Sequence, residues 1–140
     1  MISQTIEYAL RAMVYIAGLD PETAVNSETI ATNTKVPQGY LSKVLRDLVL
    51  AKLLTSQRGP NGGFALSQAA DQISMLDVVN AVDPIERLRS CPLGNPAHVS
   101  LCPLHKNLDN AIAVIEKSLG STSLANILQS TAKPRECLAL

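Results

Sequence analysis

The seven residues at 58–64 (RGPNGGF) constrain the fold more than any other stretch of this chain. They hold three glycines and a proline behind Arg58, with short apolar-rich segments on either side at 53–57 and 64–67. This pattern predicts a β-hairpin with a long tip. The amphipathic segment 37–50 comes shortly before it, so the hairpin is placed as the wing of a helix-turn-helix. A wing lays backbone and a cation against a phosphate chain.

Helical periodicity around the hairpin predicts a mainly α fold. Apolar residues recur at helical spacing over 6–17 and 74–82. Ser27 is predicted to cap a short second helix, and Pro37 to open a third helix with an apolar inner face. That inner face consists of Leu41, Val44, Leu45, Leu48 and Val49. We therefore expect residues 1–83 to form a winged helix-turn-helix DNA-binding domain with a two-stranded wing.

Charge is unevenly distributed along a chain whose net charge is zero. The segment from Lys35 to Gly63 contains five basic residues and one acidic residue, whereas residues 1–34 contain four acidic residues and one basic residue, Arg11. The five bases are Lys35, Lys43, Arg46, Lys52 and Arg58, and the single acid is Asp47. A local basic patch on a neutral protein is typical of a sequence reader rather than a polybasic binder. The alternative interpretation is a merely solvated charged face.

The polar side of the third helix supplies the candidate base-reading groups. Base edges in a major groove are read by hydrogen-bonding side chains carried on a helix. The wing adds a cation for phosphates or the minor groove, and its glycines allow a close approach of the backbone. The predicted DNA contacts are Gln38, Gly39, Tyr40, Ser42, Lys43 and Arg46 on the helix, and Arg58, Gly59, Gly62 and Gly63 on the wing.

The C-terminal half combines a breaker-rich connector with a long amphipathic helix. Residues 84–103 contain four prolines and Gly94, and residues 104–130 are predicted to hold a dimerisation helix followed by a short helix. The apolar seam of the long helix is Leu101, Leu104, Leu108, Ala111, Ile115 and Leu119. Such a seam usually packs against a partner chain, which is expected here to be a second copy of this chain. The alternative is packing back onto its own domain. Residues 131–140 are interpreted as a tail.

The connector region also concentrates the metal-ligating residues of the chain. Cys91, His98, Cys102 and His105 include both histidines and two of the three cysteines. Thiolate and imidazole ligands suit zinc or an iron–sulfur cluster. A thiol redox switch and a purely structural loop remain as alternatives. The third cysteine, Cys137 in the tail, is interpreted as an incidental thiol.

The chain resembles the Rrf2 family of bacterial winged-helix repressors over most of its length. The resemblance rests on EYALRA at 7–12, IA at 30–31, VP at 36–37, YL at 40–41, RGPNGGF at 58–64, Val78 and AVDP at 81–84. It implies a homodimer that binds a palindromic double-stranded DNA operator with a recognition helix and a wing from each subunit. It also implies that the long helix is the dimerisation helix, in agreement with the seam.

The resemblance also implies how the cysteines and histidines are used. Cluster-containing members carry three cysteines in this loop, and Cys91 and Cys102 match the outer two. His105 matches a histidine that some members add, but the middle cysteine is replaced near Pro96. A four-iron cluster on three loop thiolates is therefore not expected, whereas the residues present are compatible with a two-iron cluster of mixed Cys/His ligation. Glu7 matches a carboxylate ligand of related nitric-oxide sensors; the favoured alternative is a surface partner of Arg11.

Other classes of protein fit the sequence less well. No apolar run reaches the length of a membrane span and no leader pattern is present, so a cytoplasmic protein is expected. Cysteine–histidine pairs lack a third residue that would orient the base, which argues against an enzyme. The main rival is a zinc-stabilised winged-helix adaptor for protein interactions. It would show no salt-dependent affinity for DNA.

Overall fold

A computed structural model describes residues 2–97 and 99–130 of the chain. This part is mainly helical, with one two-stranded antiparallel sheet. The elements are α1 (Gln4–Ala17), α2 (Ser27–Thr34), α3 (Gln38–Leu50), β1 (Leu54–Gln57), β2 (Gly63–Leu66), a short 3-10 helix (Ala70–Gln72), α4 (Met75–Val82), α5 (Pro103–Gly120) and α6 (Leu124–Ser130). The predicted fold class, a winged helix-turn-helix followed by a long helix, is confirmed.

Local capping explains where several helices begin. Ser3 caps α1 by accepting a hydrogen bond from the Ile6 N–H. The cap of α2 is Asn26, whose Oδ1 accepts from the Thr29 N–H at 2.8 Å. The prediction that Ser27 caps this helix was wrong, because both residues are of capping type and Ser27 is already helical. Its hydroxyl is consequently free for another role.

The core is built from aliphatic side chains of α1, α2, α3 and α4. Ile30 of α2 and Leu41, Leu45 and Leu48 of α3 are fully buried against Met13 of α1. Of the predicted inner face of α3, Leu41, Val44, Leu45 and Leu48 are buried and Val49 is partly buried. This packing fixes the opposite side of α3 toward solvent.

The helix-turn-helix corner is closed at the end of α2. Thr34 is a fully buried polar residue, and its hydroxyl donates to the Ile30 carbonyl oxygen at 2.7 Å. Lys35 follows with a φ of 56°, a left-handed conformation that reverses the chain into Val36 and Pro37. The angle between α2 and α3 is thus set by a satisfied hydroxyl and a single left-handed residue.

The wing is attached to the segment that precedes α2. β1 pairs with β2 in the register Leu54 to Leu66 through Gln57 to Gly63. Val25 adds a short antiparallel bridge to Phe64, with N–H···O bonds of 2.9 and 2.7 Å in the two directions. The base of the wing is therefore held against the start of the helix-turn-helix.

Helix α5 packs on the domain through the second half of its apolar seam only. Ile112, Ile115 and Leu119 face a cavity of about 300 Å³ whose other walls come from α1, α4 and the residues after α4. Leu104 and Leu108, nearer the start of the helix, are 65% and 49% exposed, and Val114, on another face, is 68% exposed. The predicted seam is therefore covered in its second half and open in its first half, and no residue of α5 is buried.

Helix α6 returns the chain to the body of the domain. Leu124 is fully buried, and its N–H donates to the Ile73 carbonyl oxygen at 2.9 Å. The Met75 N–H donates to the Thr122 carbonyl oxygen at 2.8 Å. The chain that follows α5 is therefore tied to both sides of the start of α4. In the part of the chain that is described, no helix combines the length and the apolar character that crossing a membrane requires.

Candidate nucleic-acid interface

The outer side of α3 presents a continuous row of polar residues. All predicted contacts of this helix are exposed: Gln38, Gly39, Tyr40, Ser42, Lys43 and Arg46. The buried residues Leu41, Val44, Leu45 and Leu48 lie on the opposite side and anchor it to the core. Because the two sets alternate at helical spacing, burial of one set turns the other outward as a unit.

Two members of the row are held by hydrogen bonds. The Gln38 amide Nε2 donates to the Ser27 hydroxyl at 3.0 Å, which joins the first turns of α3 and α2. The Ser42 hydroxyl donates to the Gln38 carbonyl oxygen at 3.1 Å. Its oxygen lone pairs stay available to accept a bond from a base. Ser27 was missed by the sequence analysis, since an eleven-residue separation gives no local signal.

Two cations of the row carry no compensating acid. Lys43 and Arg46 form no ion pair with any residue in the described ranges. The other bases of the patch, Lys35, Lys52 and Arg58, are exposed. The basic patch seen in the sequence is therefore a surface whose cations can reach phosphates.

The N-terminus of α3 is open to an anion. Its cap position is Pro37, which makes no side-chain capping bond, and its first turn contains no acidic residue. First-turn N–H groups that have no side-chain cap bind water or a ligand, and the helix dipole favours negative charge there. This end of the helix suits a phosphate or the edge of a base.

The three wing glycines have different surroundings. Gly59 has a φ of 107° and open space where a Cβ would stand, so it can lie close to a ligand. A Cβ on Gly62 would lie 2.4 Å from the Gln57 carbonyl oxygen, and one on Gly63 would lie 2.3 Å from that of Val25. Gly62 and Gly63 thus shape the hairpin itself. Arg58 is exposed beside them.

Helix α1 supports the helix-turn-helix from behind. The Arg11 guanidinium donates from Nε to Glu7 Oε1 at 3.0 Å and from Nη1 to the Thr34 carbonyl oxygen at 3.4 Å. Glu7 is therefore engaged by Arg11, the alternative favoured from the sequence. The ring of Tyr8 packs against that of Tyr40. The contacts of Arg11 with Thr34 and of Tyr8 with Tyr40 are long-range, so local spacing could not predict them.

The structure brings together two of the four candidate metal ligands. Cys102 occupies the N-cap position of α5 without a side-chain capping bond, and its Sγ lies 3.2 Å from His105 Nδ1, one turn into the helix. Cys91 is a buried free thiol, and His98 lies outside the described residues, as does Cys137. The donor types fit zinc or a mixed-ligand cluster. However, no three metal-ligating side chains converge among the described residues.

An exposed polar recognition helix, an attached two-stranded wing and a basic surface define a winged-helix DNA-binding protein of the transcription-regulator class. Residues 2–130 match the Rrf2 family, described as "Iron-dependent Transcriptional regulator". The chain belongs to the Rrf2 family. This is a family of transcriptional regulators, not of enzymes, as the sequence analysis expected.

Similar curated proteins carry the same kind of name. A "Putative HTH-type transcriptional regulator" of Aquifex aeolicus is 33% identical over 93 residues, which are 66% of this chain and 64% of that protein. A protein of the same kind from Mycobacterium tuberculosis is 34% identical over 95 residues, 67% of this chain and 59% of its own length. The matches therefore span about three fifths of these relatives.

Solved structures extend the likeness in fold to nearly the whole chain. CymR, the global cysteine regulator of B. subtilis, superposes with a TM-score of 0.77 at 24% identity, covering 94% of this chain and 98% of CymR. IscR of T. potens gives a TM-score of 0.77 at 22% identity, covering 95% and 93% of the two chains. At these identities the likeness establishes the winged-helix fold.

Proposed function

We propose that this regulator is a repressor that binds a palindromic double-stranded DNA operator as a homodimer. Each subunit inserts α3 into a major groove and sets Arg58 of the wing against the backbone or the minor groove. The observation that carries the proposal is the outward polar row of α3 beside five cations, of which none forms an ion pair with a described residue. Two half-sites about one helical turn apart would match a two-fold dimer.

The dimer is proposed to form through the exposed first half of α5. Leu104 and Leu108, one turn apart, make an exposed apolar stripe on an 18-residue helix that has no buried residue. A stripe of this kind costs free energy in water and is stabilised by burial against a partner. A second copy supplies the same stripe, so that the contact is self-complementary.

Operator binding is tested by selecting an operator from a random oligonucleotide pool and titrating it in a gel-shift assay. The logarithm of the affinity should fall linearly with log salt concentration. Ser42→Ala should reduce specific binding, and Arg58→Ala should lower the salt slope by about one for each phosphate that is no longer neutralised. Lys117→Ala on α5 removes a charge away from this surface and should change neither quantity. Absence of any salt-dependent affinity would favour the interaction adaptor.

Control by the residues around Cys102 is the second part of the proposal. A zinc ion or a two-iron cluster, held by Cys91, Cys102, His105 and His98, would couple the connector to α5, and a thiol redox state could act through the same residues. The Cys102–His105 contact supports it. Metal analysis and an absorption spectrum of anaerobically purified protein should reveal bound zinc, iron or a cluster. If neither signal appears and thiol oxidation leaves operator affinity unchanged, this regulation is wrong.

A further inference from the structure

We propose that Tyr8 of α1 determines operator selectivity from outside the helix-turn-helix, by positioning Tyr40 against a thymine-containing base pair. This inference rests on the proposed DNA binding through α3. Tyr8 acts through Tyr40, so it is a positioning residue. Its contribution is separable from the overall affinity for DNA.

The two tyrosines form the junction between the core and the outer row of α3. Their ring centroids are 5.9 Å apart with an interplanar angle of 53°, a tilted arrangement within the range favoured by aromatic pairs. Tyr8 is only 9% exposed and belongs to the core cluster, whereas Tyr40 is 61% exposed. A fixed ring therefore lies against one that faces solvent.

Tyr40 depends on this contact for its orientation. Its hydroxyl makes no hydrogen bond with any residue of the described ranges, and Tyr8 is the aromatic ring that it contacts. The side chain has two rotatable bonds, and rotamers that separate the two rings forfeit the attraction between them. The core residues that hold Tyr8 thereby restrict the orientations that Tyr40 can present.

The ring of Tyr8, not its hydroxyl, is the functional group. No described residue hydrogen-bonds to that hydroxyl, yet no buried side-chain oxygen in the described residues lacks a partner, so the oxygen reaches solvent. Removing the hydroxyl alone leaves the ring contact intact. Tyr8→Phe and Tyr8→Leu therefore separate the two parts of the side chain.

The position of Tyr40 indicates what it reads. It is the third residue of α3, in the first turn, and the N-terminal residues of a recognition helix contact base edges. Its neighbour Gly39 has open space around its Cα, so that the ring is not crowded. An aromatic ring held in a major groove makes apolar contact with the C5-methyl group of thymine. The inference is selectivity for that methyl group.

The experiment uses an operator selected by the wild-type protein and copies in which each thymine is replaced in turn by deoxyuridine, which lacks the methyl group. Dissociation constants are measured for the operator, for each deoxyuridine copy and for an unrelated duplex. Discrimination is the ratio of the constant for a copy to the constant for the operator. The position read by Tyr40 is the one at which Tyr40→Ala abolishes discrimination. There, Tyr8→Leu should reduce discrimination about three- to tenfold, the range expected for the loss of an aromatic pair. Tyr8→Phe should retain it.

Controls separate positioning from folding. Tyr15→Leu makes the same substitution two turns further along α1 and should preserve discrimination. Binding to the unrelated duplex should be the same for the wild type and for the Tyr8 and Tyr15 variants, and thermal melting confirms that each variant is folded. Tyr8→Met, which supplies a longer and more flexible side chain without a ring, replaces Tyr8→Leu if the latter unfolds. In the Tyr40→Ala background, Tyr8→Leu should cause no further loss of operator affinity.

Three results would overturn the inference while leaving DNA binding intact. One is full discrimination by both ringless variants of Tyr8. Another is a loss of operator affinity from Tyr8→Leu that is equal with and without the Tyr40 ring. The last is that Tyr40→Ala changes discrimination at no thymine. A wild-type protein that selects no sequence from the pool would instead reject the proposed function, and the inference with it.

Discussion

Arg87 binds Asp109 through two parallel hydrogen bonds of 2.7 Å, from Nε and Nη2 to the two carboxylate oxygens. The Asp109 carboxylate also accepts the Leu88 N–H at 2.9 Å, and Arg87 Nη1 reaches Glu116 at 3.2 Å. These bonds join the connector to the middle of α5. They lie one turn beyond His105, on the same side of the helix. Asp109 therefore limits how far a displacement of Cys102 and His105 can extend along α5.

Asp109→Ala should release the connector from α5. The Leu88 N–H loses its acceptor, so its hydrogen exchange should accelerate, while exchange at Leu124 stays slow because that amide bonds to Ile73. Glu116→Ala removes only the longer bond to Arg87 and should leave Leu88 protected. Equal exchange at Leu88 in the wild type and Asp109→Ala would show that the connector is held by other contacts.

The same pair predicts a pH dependence. The hydrogen bonds from Arg87 hold the pKa of Asp109 below its ordinary value of 3.8. A carboxylate with a depressed pKa stabilises the folded state above its unfolded pKa, and that stabilisation is lost as pH falls through the folded pKa. The Tm difference between wild type and Asp109→Asn should therefore be constant near neutral pH and shrink below about pH 4. A difference that does not change down to about pH 2 would contradict this linkage.

The wing and the helices could be predicted because their signals are local. RGPNGGF specifies a hairpin tip through glycine and proline, and the inner face of α3 follows from helical spacing. The Ser27 cap failed because Asn26 and Ser27 are equivalent as residue types, and only the chain path chooses between them. The bridge between Val25 and Phe64 depends on tertiary packing, so no local pattern marks it.

Periodicity also could not show which part of the α5 seam is covered. Leu108 and Ile115 lie two turns apart on one face, but Ile115 faces the cavity beside α4, whereas Leu108, nearer the start of the helix, is half exposed. A repeat specifies which residues share a face, not which neighbour covers it. For the same reason the partners Tyr8 and Tyr40, or Arg87 and Asp109, were not foreseen.

Gly63→Ala should destabilise the domain, and Gly39→Ala should not. A Cβ at Gly63 would lie 2.3 Å from the Val25 carbonyl oxygen, and the φ of 144° is unfavourable for alanine, so a loss of about 1–3 kcal/mol or more is expected. A Cβ at Gly39 meets open space inside a helix, where alanine is favoured by about 0.5 kcal/mol. Denaturant unfolding measures the change in the free energy of unfolding for both variants. A Gly63→Ala variant as stable as the wild type would mean that the base of the wing can shift.

Leu108→Asp should break the proposed dimer without unfolding the subunit. The side chain is half exposed in the single chain, so the charge can stay hydrated there, whereas burial against a second α5 would strip it of water. Sedimentation velocity should show a monomer with unchanged helix content by circular dichroism. Asn110→Asp adds the same charge at an exposed position outside the apolar stripe and should remain dimeric. If Leu108→Asp sediments as the wild type does, the exposed first half of α5 is not the interface, and the operator-binding geometry must be built on another contact.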